Sequence, residues 1–247
     1  MKLTGNTILV TGGGSGIGQG LAWKFHDLGN TVIVAGRRAS ALAETVAGRE
    51  NMHVLELDVA DPASVATALE VLAREFPQLN MLIHSAGIMT HDELGDVDMA
   101  ARIIDINLMG TIRVVEGLIP QLEGKDNAVI CTVSSGLAFI PLPSTPAYSA
   151  SKAAVHSYTV SLRHRLKGKA DVIEIAPPAV QTGLTPGQES REGFMPLADY
   201  LDETMENFAK VPTPQENLVK NVLPLRNADK DGKVEEMLAM FESLGIL

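Results

Sequence analysis

TILVTGGGSGIG, residues Thr7 to Gly18, sets a short apolar run against a cluster of glycines and then opens a longer helical pattern. Thr7–Thr11 is apolar without alternating, the pattern of a strand buried on both faces. Glycine serves where the backbone must take angles closed to other residues, or where a bound group lies too near for a side chain. A helix beginning near Ile17 would aim its free N–H groups and the positive end of its dipole at phosphates resting on the turn. Strand, glycine turn and helix in that order form the context of a dinucleotide fingerprint rather than of an ordinary tight turn.

Outward from that stretch, short apolar runs alternate with helical ones. The runs Thr31–Ala35, His53–Leu57, Met81–His84, Ala128–Val133 and Val172–Ile175 are expected as further strands. Ile17–Leu28, Ala39–Ala47, Pro62–Glu75, Val97–Gln121 and Ala147–Leu166 are expected as helices, the third opened by Asp61 ahead of Pro62. The alternation predicts an α/β fold, a parallel sheet covered by helices on both faces, in a single domain over residues 1–247. Pro177–Pro196 breaks the rhythm; residues 183–214 are read as a substrate loop or lid, and 215–247 as a helical tail (Gln215–Leu225 and Gly232–Leu244).

Composition narrows the function. The chain carries 20 basic and 30 acidic residues, a formal charge of −10, and no basic run longer than Arg37-Arg38, which argues against nucleic acid or an anionic membrane as partner. No apolar stretch approaches the ~18 residues of a membrane span, and the N-terminus lacks signal-peptide features, so a cytoplasmic protein is expected. The single cysteine, Cys131, sits in an apolar run and reads as core. No His, Cys and Asp cluster has metal-ligand spacing, so no metal is expected.

The second expected strand ends Val34-Ala35-Gly36-Arg37-Arg38. A carboxylate there would accept from a ribose 2′-hydroxyl; two arginines instead suit a 2′-phosphate, so NADP(H) is expected over NAD(H). Tyr148 and Lys152 stand four apart at the start of a helical stretch, on one face one turn apart. An ammonium beside a phenol favours the phenolate, which otherwise forms only near pH ~10. Ser134 and Ser135 close the fifth strand, where a hydroxyl can hold a substrate oxygen while Tyr148 passes a proton.

In these features the chain resembles the short-chain dehydrogenase/reductase family. Thr11, Gly12, Gly16 and Gly18 match its Thr-Gly-x-x-x-Gly-x-Gly, and the likeness runs from about Leu3 to Thr182. The resemblance implies a Rossmann fold with strand order 3-2-1-4-5-6 and a catalytic set of Asn107, Ser135, Tyr148 and Lys152. In it Lys152 also grips the nicotinamide ribose and Asn107 positions a water. It implies cofactor contacts from Gly12, Gly14, Ser15, Gly16, Ile17, Gly18, Arg37, Arg38, Asp58, Val59, Ser85, Ala86, Gly87, Tyr148, Lys152, Pro177, Val180 and Thr182. Three departures stand out: His84-Ser85-Ala86-Gly87 replaces Asn-Asn-Ala-Gly, Pro178 replaces a glycine, and the tail lacks the usual glycine-rich ending. His84 is expected to be structural. The seventh strand is expected to be absent or altered, and a dimer through the helices starting near Val97 and Ala147 is expected, with a tetramer as the alternative. The run Ser134–Leu142 and the tail are similar to a bacterial DltE-like subgroup.

Met89, Leu137, Phe139, Leu142, Leu184, Phe194 and Met195 are the candidate pocket walls, with His91 and Asp92 as solvated loop at the mouth. With no arginine or lysine read beside the catalytic set except Lys152, the expected substrate is an apolar or aromatic ketone or its secondary alcohol. The alternatives are a cofactor sensor without chemistry and an imine reductase on the same scaffold.

Overall fold

The computed structural model describes residues 1–90 and 95–243. His91 and Asp92, expected at the pocket mouth, lie outside the described residues. One parallel sheet holds β1 (Thr7–Thr11), β2 (Thr31–Gly36), β3 (Met52–Glu56), β4 (Met81–His84), β5 (Val129–Val133), β6 (Asp171–Ile175) and β7 (Glu216–Asn217). Their order is β3-β2-β1-β4-β5-β6-β7, so the expected sequence 3-2-1-4-5-6 is present and carries one more edge strand. The chain starts at the sheet centre, winds outward to β3, and returns to lay β4 beside β1 with His84 opposite Thr11. Outside the carboxyl ends of the strands at such a reversal lies the crevice where α/β sheets bind ligands.

Strand burial explains the continuous apolar runs. Ile8, Val10, Val32 and Val34 face one core, packed under Leu21 and Phe25 of α1 (Gly16–Asp27) and Leu42 of α2 (Ala39–Val46). Leu9, Ile33, Leu82 and Ile130 face the other. There they meet Val65 and Leu72 of α3 (Pro62–Glu75), and Val114 and Leu118 of the helix α5 described below. Leu162 of α6 (Pro146–Arg165) joins them. Each strand residue thus leaves water whichever way it points, and alternation with polar residues has no face to serve.

Three expectations are corrected. Val97–Gln121 is not one regular helix: α4 (Val97–Ile104) passes through a π-helical turn at Asp105–Met109 into α5 (Gly110–Leu122). Such turns insert a residue into the ladder and occur at functional sites; this one contains Asn107. Residues 183–214 are not all loop, for α7 (Leu197–Ala209) lies within them. It docks on α1 so closely that a Cβ on Gly20 would sit 2.3 Å from Leu201 Cδ1, and Phe25 and Phe208 stack with centroids 5.8 Å apart. The tail does not begin as helix, because β6 would otherwise leave its outer edge unpaired. Gln215 and Asn217 carbonyls instead accept from Glu174 and Ala176, forming the two-residue β7, with α8 (Leu223–Asn227) and α9 (Val234–Ser243) beyond.

Two glycines of the opening turn are required by the chain itself. Gly12 has φ +66° and a Cβ there would lie 2.9 Å from the Ala86 amide nitrogen; one on Gly18 would lie 2.5 Å from the Gly12 carbonyl oxygen. Both contacts are with backbone, which cannot rotate aside. Gly18→Ala is expected to cost about 2 kcal/mol and lower Tm by about 4–8 °C in calorimetry; an unchanged Tm would mean that the turn relaxes freely.

Candidate active site

Two cavities open side by side on the carboxyl ends of the central strands, one of about 580 Å³ and one of about 150 Å³. Gly12, Ser15, Arg37, Arg38 and Gly87 line both, so the glycine turn is their shared wall. Gly14, Asp58, Val59 and Ala86 line the smaller; Gly16, Ile17, Gly18, Ser85, Pro177, Val180 and Thr182 line the larger, together with Ser135, Tyr148 and Lys152. Every residue expected to meet a cofactor therefore borders one or the other.

The turn is built to receive phosphates. Ser15 is the N-cap of α1, in extended conformation, and its side chain makes no capping bond, so it leaves the first N–H groups of the helix open to an anion. Its hydroxyl instead takes a hydrogen bond from Arg38 Nη2 at 3.3 Å. Both arginines are exposed at the end of β2 and border both cavities.

β5 and α6 bring the reactive groups together. Lys152 is buried, and its Nζ donates to the Val133 carbonyl at 2.9 Å while lying 5.6 Å from the centroid of the Tyr148 ring. Ser135 lies just past the strand end, after Ser134, its Oγ accepting from the Leu137 amide at 3.1 Å. Burial pushes the Tyr148 phenol up to about 12, and its hydrogen bond with Ser135 draws it down in part. Desolvation is the larger effect at Tyr148, against the lowering expected from Lys152, and it also pushes the Lys152 ammonium down to about 8. At neutral pH this geometry holds a protonated phenol beside an ammonium.

Asn107 lines neither cavity. It is buried within the π-turn, where its Oδ1 accepts from the Ile88 amide at 2.8 Å and its Nδ2 donates to the Ile88 carbonyl at 2.9 Å and to Ser151 Oγ at 3.1 Å. Its own carbonyl accepts from Thr111 Oγ1 at 2.6 Å. The side chain holds the Gly87–Ile88 wall in place. His84 is buried, with Nδ1 3.0 Å from Thr11 Oγ1, and burial together with Lys152 pushes its imidazole down to about 3. It is neutral across the physiological range, in keeping with a structural histidine. Cys131 is fully buried, and burial pushes its thiol up to about 12.

Of the seven candidate pocket walls, Met89 and Leu184 line the larger cavity. Leu137 and Leu142 pack instead with Phe241 and Leu238 under the tail. Phe139 lies between His156, 5.2 Å away edge to face, and the Arg226 guanidinium 4.8 Å over its ring. Met195 joins the core by pairing with Val180, and Phe194 lies under Arg191. Sequence reading missed two charged residues. Arg102 of α4 lines the larger cavity with Met99, one helical turn away. Glu174, inside the apolar run of β6, is wholly buried; it accepts from Ser134 Oγ at 2.5 Å and pairs with His156 Nδ1 at 2.7 Å. An acid in a Val/Ile strand was the available signal, since such a charge must be partnered.

Glu174, His156 and Glu216 bring ligand-type atoms within 4.8 Å of one another, a grouping from distant parts of the chain that spacing in the sequence does not reveal. Its members are engaged with protein. Arg226 takes both Glu216 oxygens, at 2.8 and 3.0 Å, while His156 spans towards Glu174.

A model of the short chain dehydrogenase family matches residues 6–193. The chain belongs to the short-chain dehydrogenase family. This short-chain dehydrogenase is 38% identical over 213 residues to the oxidoreductase DltE of Bacillus subtilis (strain 168), covering 84% of each chain. It is 33% identical over 186 residues to sulfoacetaldehyde reductase 2 of Chromohalobacter salexigens, covering 72% of this chain and 74% of that one. The fold matches a short chain dehydrogenase from Burkholderia cenocepacia J2315, solved in complex with NADP. The TM-score is 0.83 at 23% identity, over 96% of this chain and 99% of the other. The chain is accordingly an oxidoreductase, and among its described residues no helix is long and apolar enough to cross a membrane.

The pairing with Glu174 raises the pKa of His156 above its ordinary value. A raised folded-state value means stability fully present below the unfolded pKa of ~6.5 and lost as pH climbs through the folded value. The urea midpoint of the wild type should exceed that of His156→Gln most at pH 6, the gap closing as the solution turns alkaline. A gap that stays constant with pH would show that the proton on His156 contributes nothing.

Proposed function

We propose that this oxidoreductase is an NADP(H)-dependent carbonyl reductase, with Tyr148 as the proton donor to the substrate oxygen. The observation that carries the reading is the buried phenol of Tyr148, hydrogen-bonded to Ser135 and within a helical turn of the Lys152 ammonium, on the wall of the larger cavity. When bound, the nicotinamide supplies the hydride. The protein supplies the rest. Ser135 Oγ, held at the end of β5, offers a hydrogen bond to the carbonyl oxygen, which gains negative charge as the bond order falls. Tyr148 gives that oxygen its proton, and its high pKa keeps the proton available at neutral pH. Lys152, anchored on the Val133 carbonyl, places a positive charge beside the phenolate that remains, and would hold the cofactor ribose.

Arg37 and Arg38 would receive the 2′-phosphate, the N-terminus of α1 the pyrophosphate, and the smaller cavity with Asp58 and Val59 the adenosine. Met89 and Leu184 give the substrate an apolar wall, which suits a ketone or aldehyde with an apolar body. Reduction accords with the relative named a sulfoacetaldehyde reductase. A dimer through α4, α5 and α6 belongs to the same reading; α4 leaves Val97 73% exposed.

Tyr148→Phe is expected to lower kcat by about 10²–10⁴-fold while NADPH binding, followed by its fluorescence, stays within about twofold of wild type; retained turnover would remove the proton-donor assignment. Arg37→Ala with Arg38→Ala should raise KM for NADPH about tenfold and leave KM for NADH unchanged. Equal effects on both would remove the 2′-phosphate assignment. The ammonium of Lys152 is lost as pH rises through about 8, whereas Tyr148 keeps its proton to about 12. Reductive kcat should therefore be level below pH 7 and fall above about 8, and a rate that climbs through that range would contradict the roles given.

A further inference from the structure

The larger cavity is strongly cationic in a chain whose formal charge is −10. Arg37, Arg38, Lys152 and Arg102 line it, and among the described residues no Asp or Glu does. The proposed chemistry uses three of these four. In that reading Arg37 and Arg38 would receive a phosphate, and Lys152 is buried on the Val133 carbonyl. Arg102 is left over.

Within one chain, neither of the usual structural duties of a helical arginine falls to Arg102. A cation near the end of a helix is commonly there to complement the dipole, and Arg102 lies in the last turn of α4. That helix, however, has no free carboxyl end, because its hydrogen bonding continues into the π-turn, the Asp105 amide donating to Ala101 and Arg102 carbonyls. Asp105, three residues on, is taken by Arg113 at 2.8 Å. Asp98, four residues back, forms no ion pair with it, and among the described residues no other acid does. Arg102 therefore presents an exposed guanidinium, with five donors, to a cavity that also offers Met99 and Met89.

We propose that Arg102 binds an anionic group on the substrate, so that the carbonyl compounds reduced in this cavity carry a carboxylate or a sulfonate at the end remote from the reacting carbon. The apolar body lies along Met89, Met99 and Leu184, and the carbonyl oxygen meets Tyr148 and Ser135. The proposal departs from the expectation of a substrate without a charged group. It rests on the reductase reading above.

The test compares sulfoacetaldehyde, succinic semialdehyde and neutral butanal as substrates with NADPH, in wild type, Arg102→Ala and Arg102→Lys. Arg102 is exposed, so a thermal melt should find all three folded alike. For at least one anionic aldehyde, kcat/KM is expected to exceed that for butanal. In Arg102→Ala that kcat/KM should fall about tenfold or more, chiefly through KM, with partial recovery in Arg102→Lys. Butanal turnover and KM for NADPH should stay within about twofold. Which anionic aldehyde responds distinguishes sulfonate from carboxylate. The proposal is overturned if butanal is the better substrate, if Arg102→Ala changes nothing, or if it raises KM for NADPH, which would assign the guanidinium to a cofactor phosphate. If no aldehyde is reduced, the reductase reading fails, and Arg102 is judged by calorimetric titration of 2-hydroxyethanesulfonate and 4-hydroxybutanoate into the NADP+ complex. Binding by wild type that Arg102→Ala loses sustains the anion site, and no binding by wild type refutes it.

Discussion

The ammonium of Lys152 sits out of water at the end of β5, tied to the Val133 carbonyl, and the remainder of the site is arranged around that bond. Burying a charge is costly unless it is hydrogen-bonded. The bond locks the helix that carries Tyr148 against the strand that delivers Ser135, so one contact fixes the mutual position of all three side chains. The same desolvation that lowers the affinity of Lys152 for its proton raises that of Tyr148. The two groups are driven towards each other in acidity, a phenol that holds its proton beside a cation that gives its own up more readily.

Behind this pair stands a second layer. Glu174 receives Ser134, the neighbour of Ser135, and pairs with His156, one turn beyond Lys152 on α6. The end of β5 and α6 are thereby tied to the same carboxylate. Through β7, whose Glu216 is forked by Arg226, the divergent tail reaches that layer, and Arg226 also covers Phe139. Phe139, read from the sequence as a pocket wall, thus belongs to the joint between the active site and the tail.

Most of the sheet was legible because burial on both faces writes the strands as unbroken apolar runs, and the glycine turn is legible because no other residue fits. Gly12 and Gly18 show why that signal is so sharp: backbone presses on both, before any ligand is considered. The two-residue β7 was not legible, since Glu216 and Asn217 have no strand pattern and pair only because the edge of β6 needs partners. Nor was α7 within residues 183–214, where the Pro- and Gly-rich beginning masked a helix held by contact with α1. Arg102 escaped notice because its helix brings it to the cavity from far along the chain. Tyr148 and Lys152 were read correctly as neighbours, but their spacing carries no information on depth, and depth reverses the expected direction of the tyrosine shift.

The account stands or falls on whether one cavity holds both nucleotide and phenol in the arrangement described. A crystal structure of the NADP+ complex measures it directly. The account predicts the 2′-phosphate between Arg37 and Arg38, the nicotinamide ribose on Lys152, and the ring facing the Tyr148 hydroxyl. A nucleotide bound with its ring away from Tyr148, or with its phosphate away from both arginines, would contradict it.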